Sequence, residues 1–301
     1  MIDLAHNFAK SRKATLTPRL RERRAREVGI DFTAEDAEVL AEGAEETLSL
    51  LTPLRQPPSP SAGEVSYALN GGQRIIDRLN LNVARGETMV LLGESGCGKT
   101  TTLRLVNRLL APTSGEVIVE GKATTEWDVI RLRRRTGYVI QEAGLFPHFT
   151  VEQNVGLVPS LEDWDEPRVR ERVHEMLSLV GLDSKKFADR YPRELSGGQR
   201  QRVGVARALA ADPPLLLMDE PFGALDPLTR ASLQKEFAEL KARLGKTVIF
   251  VTHDVREALM LGSRIALMDK GRIVLLDTPQ GFVKSQDEYA RAYLETLRNE
   301  F

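Results

Sequence analysis

The feature that most constrains the fold is the stretch TMVLLGESGCGKTTTLRLVNRLL at residues 88–110. Its first six residues are an apolar run that predicts a buried strand, and Leu103, Val106 and Leu110 recur at the spacing of an amphipathic helix. The segment GESGCGKT at 93–100 joins the two and fits G-x-x-x-x-G-K-[ST]. A glycine-rich loop between a strand and a helix predicts an α/β fold with an anion site at the helix N-terminus.

The loop contains backbone N–H groups, a lysine and a hydroxyl that are suited to binding the phosphates of a nucleotide. Its glycines let N–H groups converge on phosphate, Lys99 can reach the β- and γ-phosphates, and the Thr100 hydroxyl can bind Mg²⁺. The alternative is a glycine-rich turn without a nucleotide, and the bare pattern arises by chance in roughly one such chain in a hundred. The predicted nucleotide-binding residues here are Gly93, Glu94, Ser95, Gly96, Cys97, Gly98, Lys99, Thr100 and Thr101.

A second apolar run, LLLMDEP at 215–221, ends abruptly in two carboxylates. Burying Asp219 and Glu220 behind aliphatic residues is costly without a cation or hydrogen bonds. We expect Asp219 to hold Mg²⁺ through water, and Glu220 to orient and deprotonate an attacking water. The alternative is a plain helix cap.

Three further residues are weaker candidates on their own. Gln141 follows a predicted strand and is placed to touch Mg²⁺ and the attacking water, although a single glutamine is more often a surface residue. His253 ends the strand TVIFVTH, where a histidine is more often a core or cap residue. Asp226 precedes Pro227 and has the alternative reading of a helix cap.

The segment LSGGQ at 195–199 offers a hydroxyl and unhindered backbone N–H groups just before a predicted helix. It resembles an anion site, yet the chain already has one in its phosphate loop. Ser196, Gly197, Gly198 and Gln199 therefore pose the question of which nucleotide they serve.

Composition narrows the class of protein. The 42 basic and 43 acidic side chains nearly cancel, so the overall charge gives no reason to expect nucleic acid as a partner. We find no apolar run long enough to span a membrane and no signal-peptide core, so we expect a cytosolic chain. One cysteine and four histidines without ligand-like spacing exclude a cysteine-rich metal site, so any metal is bound by oxygen.

The chain divides into regions that differ in composition and predicted structure. Residues 1–62 are charged and end in a proline-rich stretch, which predicts a flexible extension, with a partner-binding role as the alternative. We expect an ATPase domain over 63–285, with an inserted helical subdomain at about 142–194, and a helical tail over 286–301.

The phosphate loop, Gln141, LSGGQ, LLLMDE, GALD and His253 occur in the order and spacing of the ATP-binding cassette family, the ATPase subunits of membrane transporters, and residues 64 to about 285 resemble that family. The resemblance implies a P-loop NTPase (RecA-like) core with an antiparallel β edge subdomain and an inserted α-helical subdomain. It implies ATP and Mg²⁺ as cofactors and a head-to-tail homodimer. In such a dimer Ser196 and the backbone around Gly197 and Gly198 cap the γ-phosphate held by the other subunit. Gln199 and Asp226 are further predicted nucleotide-binding residues.

Within the family, the chain is most similar to the ATPases of osmoprotectant importers, which carry glycine betaine, choline and related quaternary amines. The segment YPRELSGGQRQRVGVARALAADPPLLLMDEPFGALDP and neighbouring segments show this similarity. This implies a peripheral subunit on the cytoplasmic face of the inner membrane, bound to permease subunits and served indirectly by an external solute-binding protein. The alternatives are a motor for another solute, a soluble cassette ATPase acting on ribosomes or DNA, and a subunit that senses nucleotide without hydrolysing it.

The sequence departs from that family pattern in three places. The aromatic residue that stacks on adenine falls on Leu69, with Tyr67 two residues earlier as a possible substitute. The strand that usually opens the cassette is not recognisable in PSPSAGEVSY, which leaves a rebuilt or a ragged edge. Many such importer ATPases continue into regulatory modules, and since this sequence ends at Phe301 we do not expect ionic-strength gating through them.

Overall fold

The structure is a computed structural model that describes residues 64–69, 72–141, 143–223 and 225–298. The extension predicted at 1–62 lies outside these residues. The strands are β1 (Val65–Ala68), β2 (Arg74–Leu79), β3 (Thr88–Gly93), β4 (Ile118–Val119), β5 (Lys122–Ala123), β6 (Thr136–Val139), β7 (Leu215–Asp219), β8 (Thr247–Thr252), β9 (Arg264–Asp269) and β10 (Arg272–Asp277). The helices are α1 (Lys99–Val106), α2 (Val129–Arg134), α3 (Val151–Leu161), α4 (Glu166–Leu179), α5 (Ser184–Phe187), α6 (Gly197–Leu209), α7 (Pro227–Leu244), α8 (Val255–Leu261), α9 (Pro279–Lys284) and α10 (Glu288–Arg298).

The centre of the fold is a six-stranded sheet in the order β10-β9-β3-β8-β7-β6. The five strands from β9 to β6 are parallel, and β10 joins the edge as an antiparallel hairpin partner of β9. Lys270 and Gly271 both have positive φ in that hairpin, as a tight two-residue turn requires. The predicted α/β fold is confirmed.

Both faces of the sheet are covered, which explains the continuous apolar runs of the inner strands. In β3, Val90 and Leu92 pack into a cluster with α3, α4 and α6 to α10, whereas Met89 and Leu91 pack on the opposite side with α1 and β2. All six residues of β3 are buried. The strand that leads into the phosphate loop is therefore held on both sides.

A separate small sheet consists of β1 and β2, which pair antiparallel. Ser66 also forms a bridge with Ser114. The opening strand that the sequence pattern did not reveal thus exists as Val65–Ala68. Its register is irregular between Val65 and Ala68, and so short and irregular a strand has no clear alternation to detect.

Between β6 and α6 the described chain is helical, with α3, α4, α5 and a 3₁₀ turn at Pro192–Glu194. Val173, Met176 and Leu177 of α4 are buried where α4 packs against α3 and α6, and Gly181 follows the helix with a φ of 72°. In the part of the chain that the structure describes, no helix is both long and apolar enough to cross a bilayer.

Candidate functional site

The site lies where the parallel strands end. Because the carboxyl ends of parallel strands meet at one edge of a sheet, β3, β7 and β8 deliver three features there. These are the phosphate loop after Gly93, the Asp219–Glu220 pair and His253. β6, which pairs with β7, delivers Gln141 to the same edge.

The phosphate loop wraps around the ammonium group of Lys99. This group donates to the carbonyl oxygens of Gly93 and Glu94, at 2.7 and 2.8 Å, and the side chain is buried. Gly98 starts α1 with a φ of 109°, and a Cβ there would lie 2.7 Å from Cδ1 of Ile76. The loop is therefore pressed against β2, and only glycine fits at this position.

Thr100 and Asp219, which are 119 residues apart in sequence, are hydrogen-bonded. The Thr100 hydroxyl donates to Oδ1 of Asp219 at 2.8 Å, and the Tyr138 hydroxyl lies 3.5 Å from Oδ2. Burial raises the pKa of Asp219, and the neighbouring charge of Glu220 adds to this, while the hydrogen bond from Thr100 opposes it. Burial also raises the pKa of Tyr138 to about 12, so that its hydroxyl stays protonated as a donor.

Glu220 and His253 form the second contact of the site. Nδ1 of His253 lies 3.3 Å from Oε2 of Glu220. Glu220 has a left-handed backbone with a φ of 43°, and its N–H donates to the carbonyl of Val251 at 3.1 Å. Strained backbone of this kind in a non-glycine residue concentrates at functional sites. The turn directs the glutamate side chain out of the sheet, beside the histidine and next to Asp219.

Gln141 is exposed just beyond β6. The segment after it is anchored to α6, because the Arg207 guanidinium donates to the carbonyls of Ala143 and Gly144, both at 2.8 Å. Ala143 and Gly144 have φ values of 62° and 49°. The position of Gln141 thus depends on α6, the helix that LSGGQ begins.

Ser196 and Gln199 cap α6 reciprocally. The Gln199 N–H donates to the Ser196 hydroxyl at 3.2 Å, and the Ser196 N–H donates to the Gln199 side chain at 3.0 Å. Gly197 is exposed, and a Cβ on Gly198 would lie 2.6 Å from Cγ2 of Thr229 in α7. These hydrogen bonds are local and link the segment to no residue of the phosphate loop in its own chain.

Asp226 caps α7, since its carboxylate accepts the Thr229 N–H at 3.0 Å. That hydrogen bond lowers the pKa of Asp226. Arg230 fixes the preceding loop by donating to the carbonyls of Phe222, Gly223 and Leu225. The cap reading of Asp226 agrees with the structure, and its role at a nucleotide stays a prediction.

Tyr67 and Leu69 lie in different environments. Tyr67, in β1, packs against the core cluster that contains Ile76 and Leu103. Leu69 follows the strand and is 47% exposed. Leu69 is therefore the more accessible of the two for contact with a base.

Comparisons with known proteins agree with this geometry. The family model described as ABC transporter matches residues 76–223. The osmoprotectant import ATP-binding protein OsmV of Salmonella typhimurium is 51% identical over 222 residues, covering 73% of this chain and 58% of that protein. The glycine betaine uptake system ATP-binding protein YehX of Escherichia coli is 51% identical over 211 residues, covering 70% of this chain and 68% of that protein. The chain belongs to the ATP-binding cassette family.

A solved structure supports the fold of the cassette. The dimeric ATP-binding cassette MJ0796, in a post-hydrolysis state bound to ADP and Pi, is 33% identical with a TM-score of 0.65, covering 73% of this chain and 97% of that one. This chain matches a little under three fifths of the length of OsmV.

The site of the cassette contains oxygen ligands that suit Mg²⁺. The Thr100 hydroxyl and the buried Asp219 carboxylate meet at 2.8 Å, and a cation would offset the cost of burying that carboxylate. Among the described residues, no three His, Cys, Asp or Glu side chains cluster closely enough to hold a metal.

Sequence analysis missed several residues that shape the cassette site, namely Tyr138, Arg207, Thr252 and Glu257. Glu257 had a weak signal, because it lies four residues before the apolar Leu261 and so on the same side of the helix. Tyr138 and Arg207 gave no such signal, since their partners are distant in sequence.

Proposed function

We propose that this cassette is the ATP-hydrolysing subunit of an importer for a small quaternary amine osmoprotectant such as glycine betaine or choline. The observation that carries the proposal is the pairing of Thr100 with Asp219 and of His253 with Glu220 at one edge of the sheet. These contacts join three segments that are distant in sequence beside the phosphate loop. The relatives OsmV and YehX support the osmoprotectant assignment through their names.

In this proposal the phosphate loop holds the triphosphate of ATP. The backbone N–H groups between Glu94 and Thr101 face the phosphates at the N-terminus of α1. Lys99, already at the centre of the loop, exchanges its carbonyl acceptors for β- and γ-phosphate oxygens. Leu69 offers an apolar surface to the adenine in place of an aromatic ring, which costs the contribution of a stack, about 0.5–1.5 kcal/mol.

Thr100 and Asp219 would hold Mg²⁺, with Gln141 as a further oxygen ligand from the next strand. The ion, when bound with ATP, neutralises negative charge on the β- and γ-phosphates. Asp219 is then paired with a cation rather than buried as a lone charge, which removes the reason for its raised pKa.

Glu220 acts as the base for hydrolysis. Its carboxylate accepts a proton from the attacking water, whose oxygen forms a bond to the γ-phosphorus as the bond to the ADP oxygen breaks. His253, whose Nδ1 lies 3.3 Å from Oε2 of Glu220, orients that carboxylate. Gln141 helps to position the water.

A second copy of the chain completes each site. Ser196 and Gly197 are exposed at the start of α6, followed by the buried Gly198, and this helix end favours an anion. In a head-to-tail homodimer their hydroxyl and N–H donors face the γ-phosphate held by the other subunit, and Gln199 and Asp226 lie at the starts of the two helices that border it. Donors supplied in this way stabilise charge that develops during phosphoryl transfer, and losing one costs about 10²- to 10³-fold in rate.

Opening and closing of this dimer then drives transport. We propose that permease subunits bind the cassette at the cytoplasmic face of the membrane, where the cassette is a peripheral partner. Solute selectivity lies in the permease and in an external solute-binding protein. No nucleic acid is needed, in line with the near-zero net charge of −1.

The variant Glu220→Gln tests the hydrolytic role. It keeps the side-chain size but removes the base, so we expect it to bind MgATP, to accumulate as a dimer in light scattering, and to lose ATP turnover by at least about 10²-fold. The exposed Glu239→Gln on α7 is the matched control and should retain wild-type turnover. Undiminished turnover in Glu220→Gln would remove Glu220 as the base.

A further inference from the structure

The buried carboxylate of Glu257 has no part in the chemistry proposed above. It lies on α8, where its neighbours on the buried face are Val255, Ala258 and Leu261. Glu257 is only 5% exposed, and burial raises its pKa. A carboxyl group in such an apolar setting costs free energy unless specific hydrogen bonds offset that cost.

Two hydrogen bonds satisfy Glu257, and they come from different elements. The Thr252 hydroxyl at the end of β8 donates to Oε2 at 2.6 Å. The Gln234 side-chain amide on α7 donates to Oε1 at 2.8 Å. The charged groups that also act on Glu257 are Asp254 and Arg230. Glu257 is thus a bridge between α7 and the end of β8.

The β8 end of this bridge leads directly to the candidate catalytic histidine. Thr252 immediately precedes His253, and its hydroxyl also accepts the N–H of Asp254 at 3.0 Å. The backbone on both sides of His253 is therefore fixed through one buried hydroxyl, whose orientation depends on Glu257. His253 itself is largely exposed, with a side chain 56% accessible, so its own packing does little to hold it beside Glu220.

The α7 end of the bridge leads to the surface that a second subunit is proposed to contact. Gln234 lies two turns after Asp226, which caps α7. A hydrogen-bonded helix and turn transmit small displacements because packed elements move as units. A shift of α7 on dimer closure would therefore reach the His253 turn through Gln234, Glu257 and Thr252.

We propose that Glu257 is a positioning residue that holds the His253 turn against Glu220 and ties it to α7. The proposal rests on the ATPase function above and adds to it a named link from the dimer-facing helix to the catalytic histidine. In this role Glu257 acts on the His253 turn through its hydrogen bond with Thr252.

The test compares Glu257→Met, which removes both acceptor oxygens at similar side-chain length, with Glu257→Gln, which retains an acceptor for Thr252. We expect Glu257→Met to lower kcat about tenfold or more with KM for MgATP changed less than about twofold. Glu257→Gln should recover most of that loss, and Gln234→Met should give an intermediate kcat. The exposed Glu239→Met is the matched control and should behave as wild type.

A second readout separates this proposal from the ATPase function. The sequence contains four histidines, so the ring signals of His253 can be assigned in NMR spectra by their loss in His253→Ala. We expect these signals to shift in Glu257→Met and Gln234→Met of the full chain. Shifted signals in a chain without measurable ATPase activity would support the positioning role while rejecting the proposed catalysis. Unchanged His253 signals, or a wild-type kcat in Glu257→Met, would overturn the proposal.

Discussion

At the scale of single residues, the site joins two opposite electrostatic environments. Asp219 is buried and its pKa is raised by burial, whereas the pKa of the exposed Asp226 is lowered by the Thr229 N–H. The difference follows from position, since Asp219 ends a strand covered on both faces while Asp226 caps a helix at the surface. A carboxylate kept at a cost to stability is typical of a site built to bind a cation.

The raised pKa of Asp219 predicts a trade between stability and activity. The folded chain binds the Asp219 proton more firmly than the unfolded chain, so this group stabilises the fold less as pH rises through its folded pKa. We expect Asp219→Asn to raise the stability of the nucleotide-free chain by about 0.5–2 kcal/mol at about pH 8, and by much less at about pH 4. Thermal melting across that range checks this.

The exposed Asp189→Asn is the control for that change and should leave the melting temperature unaltered at either pH. ATP turnover should be lost in Asp219→Asn. A variant that melts below wild type at high pH would show that the ionised carboxylate stabilises the fold.

The phosphate loop gives a prediction about one glycine. Gly98→Ala must keep a φ of 109° and place a methyl group 2.7 Å from Cδ1 of Ile76 and 3.0 Å from the Ile75 carbonyl. We expect more than the roughly 1–2 kcal/mol cost of left-handed backbone alone, with weakened ATP binding. Denaturant unfolding and ATP titration measure the two effects.

Gly121→Ala is a matched control. Gly121 also has a positive φ, of 73°, but no atom beyond its own chain neighbours lies within 4 Å of the position that a Cβ would take. It should lose about 1 kcal/mol from strain and bind ATP as wild type does. Equal losses in Gly98→Ala and Gly121→Ala would mean that contact with β2 does not constrain the loop.

At the scale of elements, two helices begin with the same reciprocal cap. Thr150 and Gln153 begin α3 as Ser196 and Gln199 begin α6, with hydroxyl-to-N–H distances of 3.2 Å in both. Because the two caps have the same geometry, we expect them to contribute similarly to stability. Any functional difference between the two hydroxyl groups must then come from what each helix end faces. This makes α3 an internal control for α6.

We therefore expect Thr150→Ala and Ser196→Ala to lose similar stability, about 0.5–2 kcal/mol each, from the missing cap. Only Ser196→Ala should also lose ATP turnover, by about 10²-fold, because its hydroxyl is the proposed donor to phosphate. Chemical denaturation and steady-state turnover on the same samples decide this. Equal turnover in the two variants would reduce Ser196 to a structural cap.

The elements also show what the sequence could predict. The β3 strand, the loop at 93–100 and α1 were predicted because hydrophobic periodicity and glycine positions are local signals. The strand β1 was not, since its irregular pairing with β2 leaves no alternating pattern. The hydrogen bonds that link Gln234, Glu257 and Thr252 were also not predicted, because they depend on how α7 packs beside α8.

At the scale of the whole molecule, the proposed function divides the site between two parts of the chain. The phosphate loop, Asp219, Glu220 and His253 gather at the ends of the parallel strands. Ser196 begins α6 with local hydrogen bonds only. MJ0796 is a dimeric cassette. In the homodimer that we propose for the present chain, each of the two parts would find its partner on the other subunit.

A mixing experiment distinguishes a shared site from two independent ones. Lys99→Ala disables the phosphate loop and Ser196→Ala disables the other part, so each variant alone should be inactive. If the two parts pair between chains, random mixing makes half of the dimers mixed, and each mixed dimer has one intact site and one with both defects. We expect equimolar mixing to restore about a quarter of wild-type ATP turnover. If Ser196 instead serves its own chain, every site keeps one defect and mixing restores nothing, which turnover measured before and after mixing would reveal.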